Sequence, residues 1–171
     1  PVHSSVSGTV LSVGLFPHPM GKSVMAVEIE NDGLDEKVQA EPCKSWAEAD
    51  PKELISRIQA AGIVGMGGAS FPAHVKFSPP EGKKIDTVII NGAECEPFLT
   101  ADHRSILERT DALLTGAMII KKILNAGKCF IAIEDNKQDA IKSVRKHLAD
   151  SSFKGELKLA VLQTKYPQGG E

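Results

Sequence analysis

Apolar and polar residues alternate near the start of the chain in the manner of β-strands. The segments "SGTVLSV" (7–13) and "KSVMAVEIE" (22–30) are rich in valine and alternate in part. Each is followed by turn-forming residues, in "FPHPMG" (16–21) and "NDG" (31–33). We therefore predict a small all-β domain, a barrel or sandwich, at residues 1–42.

The second predicted domain, residues 43–171, opens with a helix signal. Asp50 can cap a helix, Pro51 suits the first helical position, and Glu53 stands three residues after the cap. The apolar residues that follow are spaced as on one face of a helix, and they are Leu54, Ile55, Ile58 and Ala61. Gly62 suits the C-terminal stop of this helix, so the glycine-rich segment that begins there follows a helix.

Strand-like and helix-like patterns alternate in the rest of this domain. Three segments have the composition of strands, namely "IDTVII" (85–90), "CFIAIE" (129–134) and "ELKLAVLQ" (156–163). Helical periodicity at 111–126, ended by Gly127, separates the first two strands, and a helix capped by Asn136 separates the last two. This β-α-β-α-β order predicts an α/β fold with a Rossmann-like parallel sheet and right-handed crossovers.

Polar, turn-like segments follow the three predicted strands. They are "NGAECEP" (91–97), "EDN" (134–136) and "TKYPQGGE" (164–171). Ligands of open α/β sheets bind beyond the carboxyl ends of the strands. The sequence therefore predicts a site built from these three segments and the glycine-rich stretch "GIVGMGGASFPAHVKF" (62–77).

The glycine-rich stretch fits neither of the common nucleotide-binding motifs. A P-loop requires lysine where Gly68 stands, and the dinucleotide fingerprint ends on Ser70 and follows a helix instead of a strand. What is left is a backbone with little side-chain bulk, close to a positive charge at Lys76. Such a backbone can approach a flat ligand closely or act as a hinge, and composition alone leaves both interpretations open.

The carboxylates of Glu94 and Glu96 also have two interpretations. Two acidic residues in a loop usually form a solvated surface. Their position after a buried strand also suits them to accept hydrogen bonds from ribose hydroxyls or an amide.

The composition excludes several classes of function. The formal net charge of −2 provides no basic surface for nucleic acid. No apolar run is long enough to cross a bilayer, so no transmembrane segment is expected. The cysteines Cys43, Cys95 and Cys129 are scattered, so no metal or iron–sulfur site is expected from this chain alone. No triad or acid–base pair is evident, which suits cofactor-based hydride or electron transfer without a catalytic side chain.

The motifs "GIVGMGGASFPAHVKF" and "VIINGAECEP" resemble those of the flavin- and NADH-binding subunits of respiratory complex I and related enzymes. Together with "PVHSSVSGTV" and "KYPQGGE", they resemble most closely the C-subunit family of Rnf/Rsx ion-translocating electron transport complexes. The resemblance covers nearly the whole chain. It implies that NADH passes a hydride to non-covalently bound FMN, and that electrons continue to iron–sulfur clusters or ferredoxin.

The resemblance also implies the residues of the site. Those implied to bind FMN are Gly65, Gly67, Gly68, Ala69, Lys76, Asn91 and Glu94. Those implied to bind NADH are Phe71, Glu96, Tyr166, Gly169, Gly170 and Glu171. Either Gly170 or Glu171 matches the glutamate of the family pattern, because the spacing permits a shift of one residue.

Further expectations concern the whole complex. The resemblance implies partner subunits of an Rnf/Rsx membrane complex, with the chain peripheral on the cytoplasmic face of a bacterial inner membrane. We expect the chain to be an N-terminal fragment, truncated within its FMN/NADH domain, inactive by itself and lacking the part that carries [4Fe-4S] clusters. The all-β region resembles a biotinyl/lipoyl-type hammerhead. Departures from the complex I pattern at Met66, Pro79 and Ala93 motivate an alternative, a docking or scaffold module with a vestigial nucleotide pocket.

Overall fold

A computed structural model describes residues 3–38, 40–43, 45–66, 69–94, 96–150 and 153–167. The chain divides into two compact units, Pro1–Lys44 and Ser45–Glu171. The strands are β1 (Gly8–Pro17), β2 (Ser23–Asn31), β3 (Thr87–Gly92), β4 (Lys128–Glu134) and β5 (Lys158–Leu162). The helices are α1 (Pro51–Ala60), α2 (Ala73–Lys76), α3 (Ala101–Glu108), α4 (Thr110–Ile123) and α5 (Gln138–Asp150).

The first unit contains an antiparallel hairpin of β1 and β2, which confirms the two strands predicted there. Cross-strand neighbours on one face are apolar, with Val13 opposite Val27 and Leu15 opposite Met25. All four of these side chains are more than half exposed. The first unit is therefore β structure with an apolar face, as its valine-rich pattern predicts.

The second unit is built on a parallel sheet with strand order β3-β4-β5. Helices α3 and α4 lie between β3 and β4, and α5 lies between β4 and β5. The predicted Rossmann-like alternation of strands and helices is confirmed, with α3 as an additional helix in the first connection. One core unites alternate residues of β4 with both helices, and its fully buried members are Leu114, Cys129, Ile131, Ile133, Ile141 and Val144. Burial of each large aliphatic side chain contributes about 1.5–3 kcal/mol, so this core fixes the position of the strand ends.

The first helix begins and ends where its sequence predicts. Asp50 accepts a hydrogen bond from Lys52 N–H (2.8 Å), and Pro51 is the first helical residue. Gly62 has a φ of 62°, and Gly62 N–H and Ile63 N–H donate back to carbonyls of the last turn. Glycine reaches this left-handed conformation without steric cost, which is why the helix stops there.

Two predicted helix boundaries were wrong. Helix α4 ends at Ile123 because Asn125, with a φ of 48°, takes the left-handed position expected two residues later at Gly127. Asn125 N–H and Ala126 N–H then donate to the carbonyls of Lys122 and Lys121. Helix α5 begins at Gln138, after Lys137, so Asn136 lies outside the cap position.

Among the helices of the described residues, none combines the length and the apolar character that a membrane span requires.

Candidate functional site at the carboxyl edge of the parallel sheet

The end of β3 is shaped by a close approach to β4. A Cβ atom at Gly92 would lie 2.8 Å from the carbonyl oxygen of Ala132, so only glycine fits there without moving backbone. Immediately beyond, Asn91 Oδ1 accepts a hydrogen bond from Ala93 N–H (3.1 Å), and Ala93 is buried. This local hydrogen bond stabilises the turn in which the chain leaves the sheet, just before Glu94.

Glu94 links the end of β3 to the start of α3. Its Oε1 accepts a hydrogen bond from Asp102 N–H (2.9 Å), one of the N-terminal amides of α3 that have no partner within the helix. Its own N–H donates to Glu134 Oε2 (3.3 Å) at the end of β4. The predicted FMN residues Asn91 and Glu94 are thus brought together at one edge of the sheet.

The second carboxylate oxygen of Glu94 is buried without a partner. Oε2 is inaccessible to solvent and has no hydrogen-bond partner in the part of the chain that the structure describes. A buried polar atom without a partner costs about 1–3 kcal/mol, and more when it is charged. Native proteins rarely leave such an atom without a donor, so Glu94 Oε2 has the properties of an acceptor for a ligand hydroxyl or amide.

The Asp102 carboxyl group interacts electrostatically with the Glu94 carboxylate. Its pKa is raised above 3.8 because its carboxyl group is partly desolvated and because the Glu94 carboxylate lies close by. Two nearby carboxylates disfavour each other's ionisation, so this corner of the site is poorly suited to a further anion. Beside it, a cavity of about 80 Å³ is lined in part by Gly92, Asp102 and Ile106. It is too small for a flavin.

The end of β4 carries two carboxylates in different surroundings. Glu134 is only 2% exposed, whereas Asp135 lies on the surface. Asp135 Oδ1 accepts hydrogen bonds from Thr164 N–H (3.0 Å) and from the Thr164 hydroxyl (2.6 Å). These bonds lower the pKa of Asp135 below 3.8. They hold the segment that follows β5, in which Tyr166 is exposed.

The glycine-rich stretch forms a loop with a paired base. Gly65 N–H donates to Phe71 O (2.9 Å), Ala73 N–H donates to Ile63 O (3.0 Å), and Val64 forms an antiparallel bridge with Pro72. Its outer residues are exposed, with Met66 at 94% and Phe71 at 52% exposure. The paired base favours a fixed loop over a hinge.

Glycine at position 65 is not required by the fold. A Cβ atom there would make only ordinary contacts, the nearest 3.8 Å away at Phe71 O, and its φ is not left-handed. Ser70, farther along this loop, has a left-handed φ of 49°. Lys76 is exposed at the last residue of α2, a short helix that the sequence did not predict.

The structure describes only some of the remaining predicted site residues. Ala69 and Glu96 are exposed on their loops. Outside the described residues lie Gly67, Gly68, Gly169, Gly170 and Glu171. The sequence singled out segment 134–136 as polar but did not distinguish buried Glu134 from exposed Asp135. It gave Asp102 no part in the site, and it included Thr164 only as the first residue of segment 164–171. Strand alternation could not have made this distinction, because it places Asp135, and not Glu134, on the fully buried face of Ile131 and Ile133.

The parallel sheet, with its helices and its polar carboxyl edge, defines an α/β protein with a Rossmann-like fold. The Nuo51 FMN-binding domain family matches residues 58–171, and the chain belongs to this family.

Curated relatives extend the similarity to the whole chain. The chain is 49% identical to the C subunit of the proton-translocating ferredoxin:NAD(+) oxidoreductase complex of Clostridium ljungdahlii over 99% of its length. It is 44% identical over its full length to the C subunit of the Na(+)-translocating ferredoxin:NAD(+) oxidoreductase complex of Acetobacterium woodii. The chain spans 36% and 38% of the length of these two proteins. The resemblance predicted from the sequence motifs is confirmed.

A solved structure supports the fold. The chain resembles a chain of the NAD+-reducing [NiFe]-hydrogenase in its H2-reduced state, with a TM-score of 0.59 and 21% identity. The match covers 74% of this chain and 24% of the hydrogenase chain.

Proposed function

We propose that this chain forms part of the FMN- and NADH-binding module of an Rnf-type electron transport complex. The observation that carries the proposal is the buried, unpartnered Oε2 of Glu94 at the carboxyl edge of a parallel sheet, in a chain of the Nuo51 FMN-binding domain family. When bound, FMN would accept a hydride from NADH and release electrons singly to iron–sulfur clusters or ferredoxin.

The residues present suit the flavin in two ways. Glu94 Oε2 is an acceptor in need of a donor, which a ribityl hydroxyl or a ring N–H of FMN would supply. A Cβ atom would fit at Gly65, so packing does not explain why glycine stands there. The absence of a side chain suits the close approach of a flat ring to the backbone. Exposed Lys76 would add a positive charge for the phosphate or the electron-rich ring. We propose that Gly67, Gly68, Ala69 and Asn91 complete the flavin contacts.

The nicotinamide nucleotide would bind on the outer side of the same edge. Phe71 is half exposed and offers an aromatic face, and Glu96 is an exposed acceptor for ribose hydroxyls. We propose that exposed Tyr166 also contributes to nucleotide binding, and that Gly169, Gly170 and Glu171, which lie outside the described residues, belong to the same site.

The proposal is tested by FMN binding to the natural full-length protein. Lys76→Glu reverses the exposed charge that would face the flavin, and we expect FMN affinity to fall about tenfold or more while the protein still assembles with its partner subunits. The matched control is Lys83→Glu, an exposed lysine beyond α2. Loss of assembly with normal flavin binding in Lys76→Glu would instead support the docking module.

A further inference from the structure

Two consecutive residues at the end of β4 hold two different loops. Glu134 accepts a hydrogen bond from Glu94 N–H, in the loop that follows β3. Asp135 accepts two hydrogen bonds from Thr164, in the segment that follows β5. Because β4 is the central strand of the sheet, its end lies next to the loops that follow both neighbouring strands.

Glu134 is an unusual residue for its position. It is buried at the end of a strand in which the five preceding residues, 129–133, are apolar. Burial of an acidic group is costly unless it accepts hydrogen bonds. The backbone N–H of Glu94 supplies one such bond and thereby helps to orient Glu94. The Oε1 atom of Glu94 in turn accepts a hydrogen bond from α3, and its Oε2 atom has no partner among the described residues. A hydrophobic residue would suit the packing at this position better. A carboxylate there is explained by its hydrogen bond to the loop that contains Glu94.

Asp135 holds its loop by a cluster of short bonds. Besides the two bonds from Thr164, Asp135 N–H donates to Leu162 O (2.8 Å), and Asn136 N–H donates to the Thr164 hydroxyl (3.3 Å). These bonds fix the direction in which the chain leaves β5, two residues before Tyr166. Asp135 itself lies on the surface, so this bonding contributes little to the core.

We propose that Glu134 and Asp135 are positioning residues that divide the site between them. Glu134 sets the Glu94 loop and thereby the flavin side, and Asp135 sets the segment from Thr164 and thereby the nicotinamide-nucleotide side. This assignment rests on the proposed function for the identity of the two ligands. Neither residue need touch a ligand, since each acts through the backbone of the loop it holds.

The test measures two affinities in the natural full-length protein. Apoprotein is titrated with FMN by the change in flavin fluorescence, and FMN-loaded protein is titrated with NAD+ by calorimetry. Glu134→Ala is expected to weaken FMN binding about tenfold, whereas Glu134→Gln, which keeps an acceptor oxygen, restores it to within about threefold of the natural protein. Asp135→Ala is expected to weaken NAD+ binding about fivefold and to leave FMN affinity unchanged.

A matched control separates positioning from general loss of stability. Ile133→Val removes one buried methylene from the preceding residue of β4 and disturbs neither loop bond, so it lowers Tm without changing either affinity. If Glu134→Ala fails to fold, Asp135→Ala still tests the assignment, because unchanged NAD+ affinity in that variant overturns it.

The outcomes distinguish the two proposals. If the natural protein binds no FMN, the proposed function fails and the positioning assignment fails with it. If the natural protein binds FMN and NAD+ but Glu134→Ala and Asp135→Ala bind both as tightly as it does, the positioning assignment alone is overturned. Equal weakening of both ligands by both variants also overturns it.

Discussion

Gly65 stands where the protein's own packing would accept a larger side chain. The atom nearest to a Cβ at this position would be a carbonyl oxygen at ordinary contact distance, in contrast to Gly92, whose Cβ would collide with backbone. A glycine that the fold does not need is explained if a ligand approaches the backbone there.

Gly65→Ala therefore separates binding from stability. We expect Tm to stay the same or rise slightly, because alanine restricts the unfolded chain by about 0.4–1 kcal/mol, while FMN affinity falls about tenfold. Thermal unfolding and flavin titration of the full-length protein measure the two effects. The control is Gly116→Ala in α4, which has open space around it and lies away from the site, and which should leave FMN affinity unchanged. Unaltered flavin binding by Gly65→Ala would argue against a ligand at this loop.

Asp102 carries a stability cost that depends on pH. A carboxyl group whose pKa is raised by folding destabilises the native state most above that raised pKa, and the penalty disappears below the ordinary value of 3.8. Asp102→Asn should therefore raise the stability at pH 7 by about 0.2–1 kcal/mol, the range of partly solvated charge interactions, and the gain should vanish as the pH falls below 3.8.

Denaturant unfolding at several pH values measures this gain. The matched control is Asp86→Asn, which removes an exposed carboxylate before β3 and leaves the pair of Glu94 and Asp102 intact. A gain in Asp102→Asn that grows towards acid would have the wrong sign and would refute the proposed repulsion between Glu94 and Asp102.

At the scale of elements, the end of α4 shows an asparagine in the helix-ending role that glycine usually has. Asn125 adopts the left-handed conformation that ends the helix, and Gly127, two residues later, has ordinary dihedral angles. Asparagine tolerates this conformation because its short side chain can bond locally, whereas for alanine it costs about 1–2 kcal/mol.

The pair Asn125→Ala and Gly127→Ala tests this boundary. Asn125→Ala should destabilise the protein by about 1 kcal/mol, and Asn125→Gly should be neutral or slightly stabilising. Gly127→Ala should be tolerated, because its Cβ would lie 3.7 Å from Asp86 O. Thermal unfolding of the three variants gives the comparison. A greater loss for Gly127→Ala than for Asn125→Ala would restore Gly127 as the helix stop.

The sequence predicted the elements better than their ends. Alternating strand and helix periods were sufficient for the parallel sheet, because the β-α-β order leaves few topologies. Helix ends depend on a single left-handed residue, and both Asn125 and Gly127 were candidates by type. Helix α2 was missed because it spans four residues, fewer than a periodic pattern needs.

At the scale of the whole molecule, the edge of the sheet that carries the candidate site could be predicted from sequence, but the hydrogen bonds at that edge could not. Strand ends of a parallel sheet share one edge in any such fold, so segments 91–97, 134–136 and 164–171 could be grouped from sequence. The hydrogen bond between Glu134 and Glu94 depends on the strand register, which places Asn91 opposite Ala132, and on the path of the loop. A local sequence pattern predicts neither the register nor the loop path. The roles proposed for Glu134 and Asp135 therefore emerged only from the folded chain.

The carboxyl edge of the sheet is proposed to form part of a site where NADH reduces FMN. An anaerobic titration of the FMN-reconstituted full-length protein with NADH, followed by the flavin absorbance spectrum, tests this reaction itself. We predict that NADH bleaches the flavin in proportion to the amount added, and that Gly65→Ala, loaded to the same flavin content, is bleached as well. A flavin that dithionite reduces and NADH leaves oxidised would contradict the proposed function.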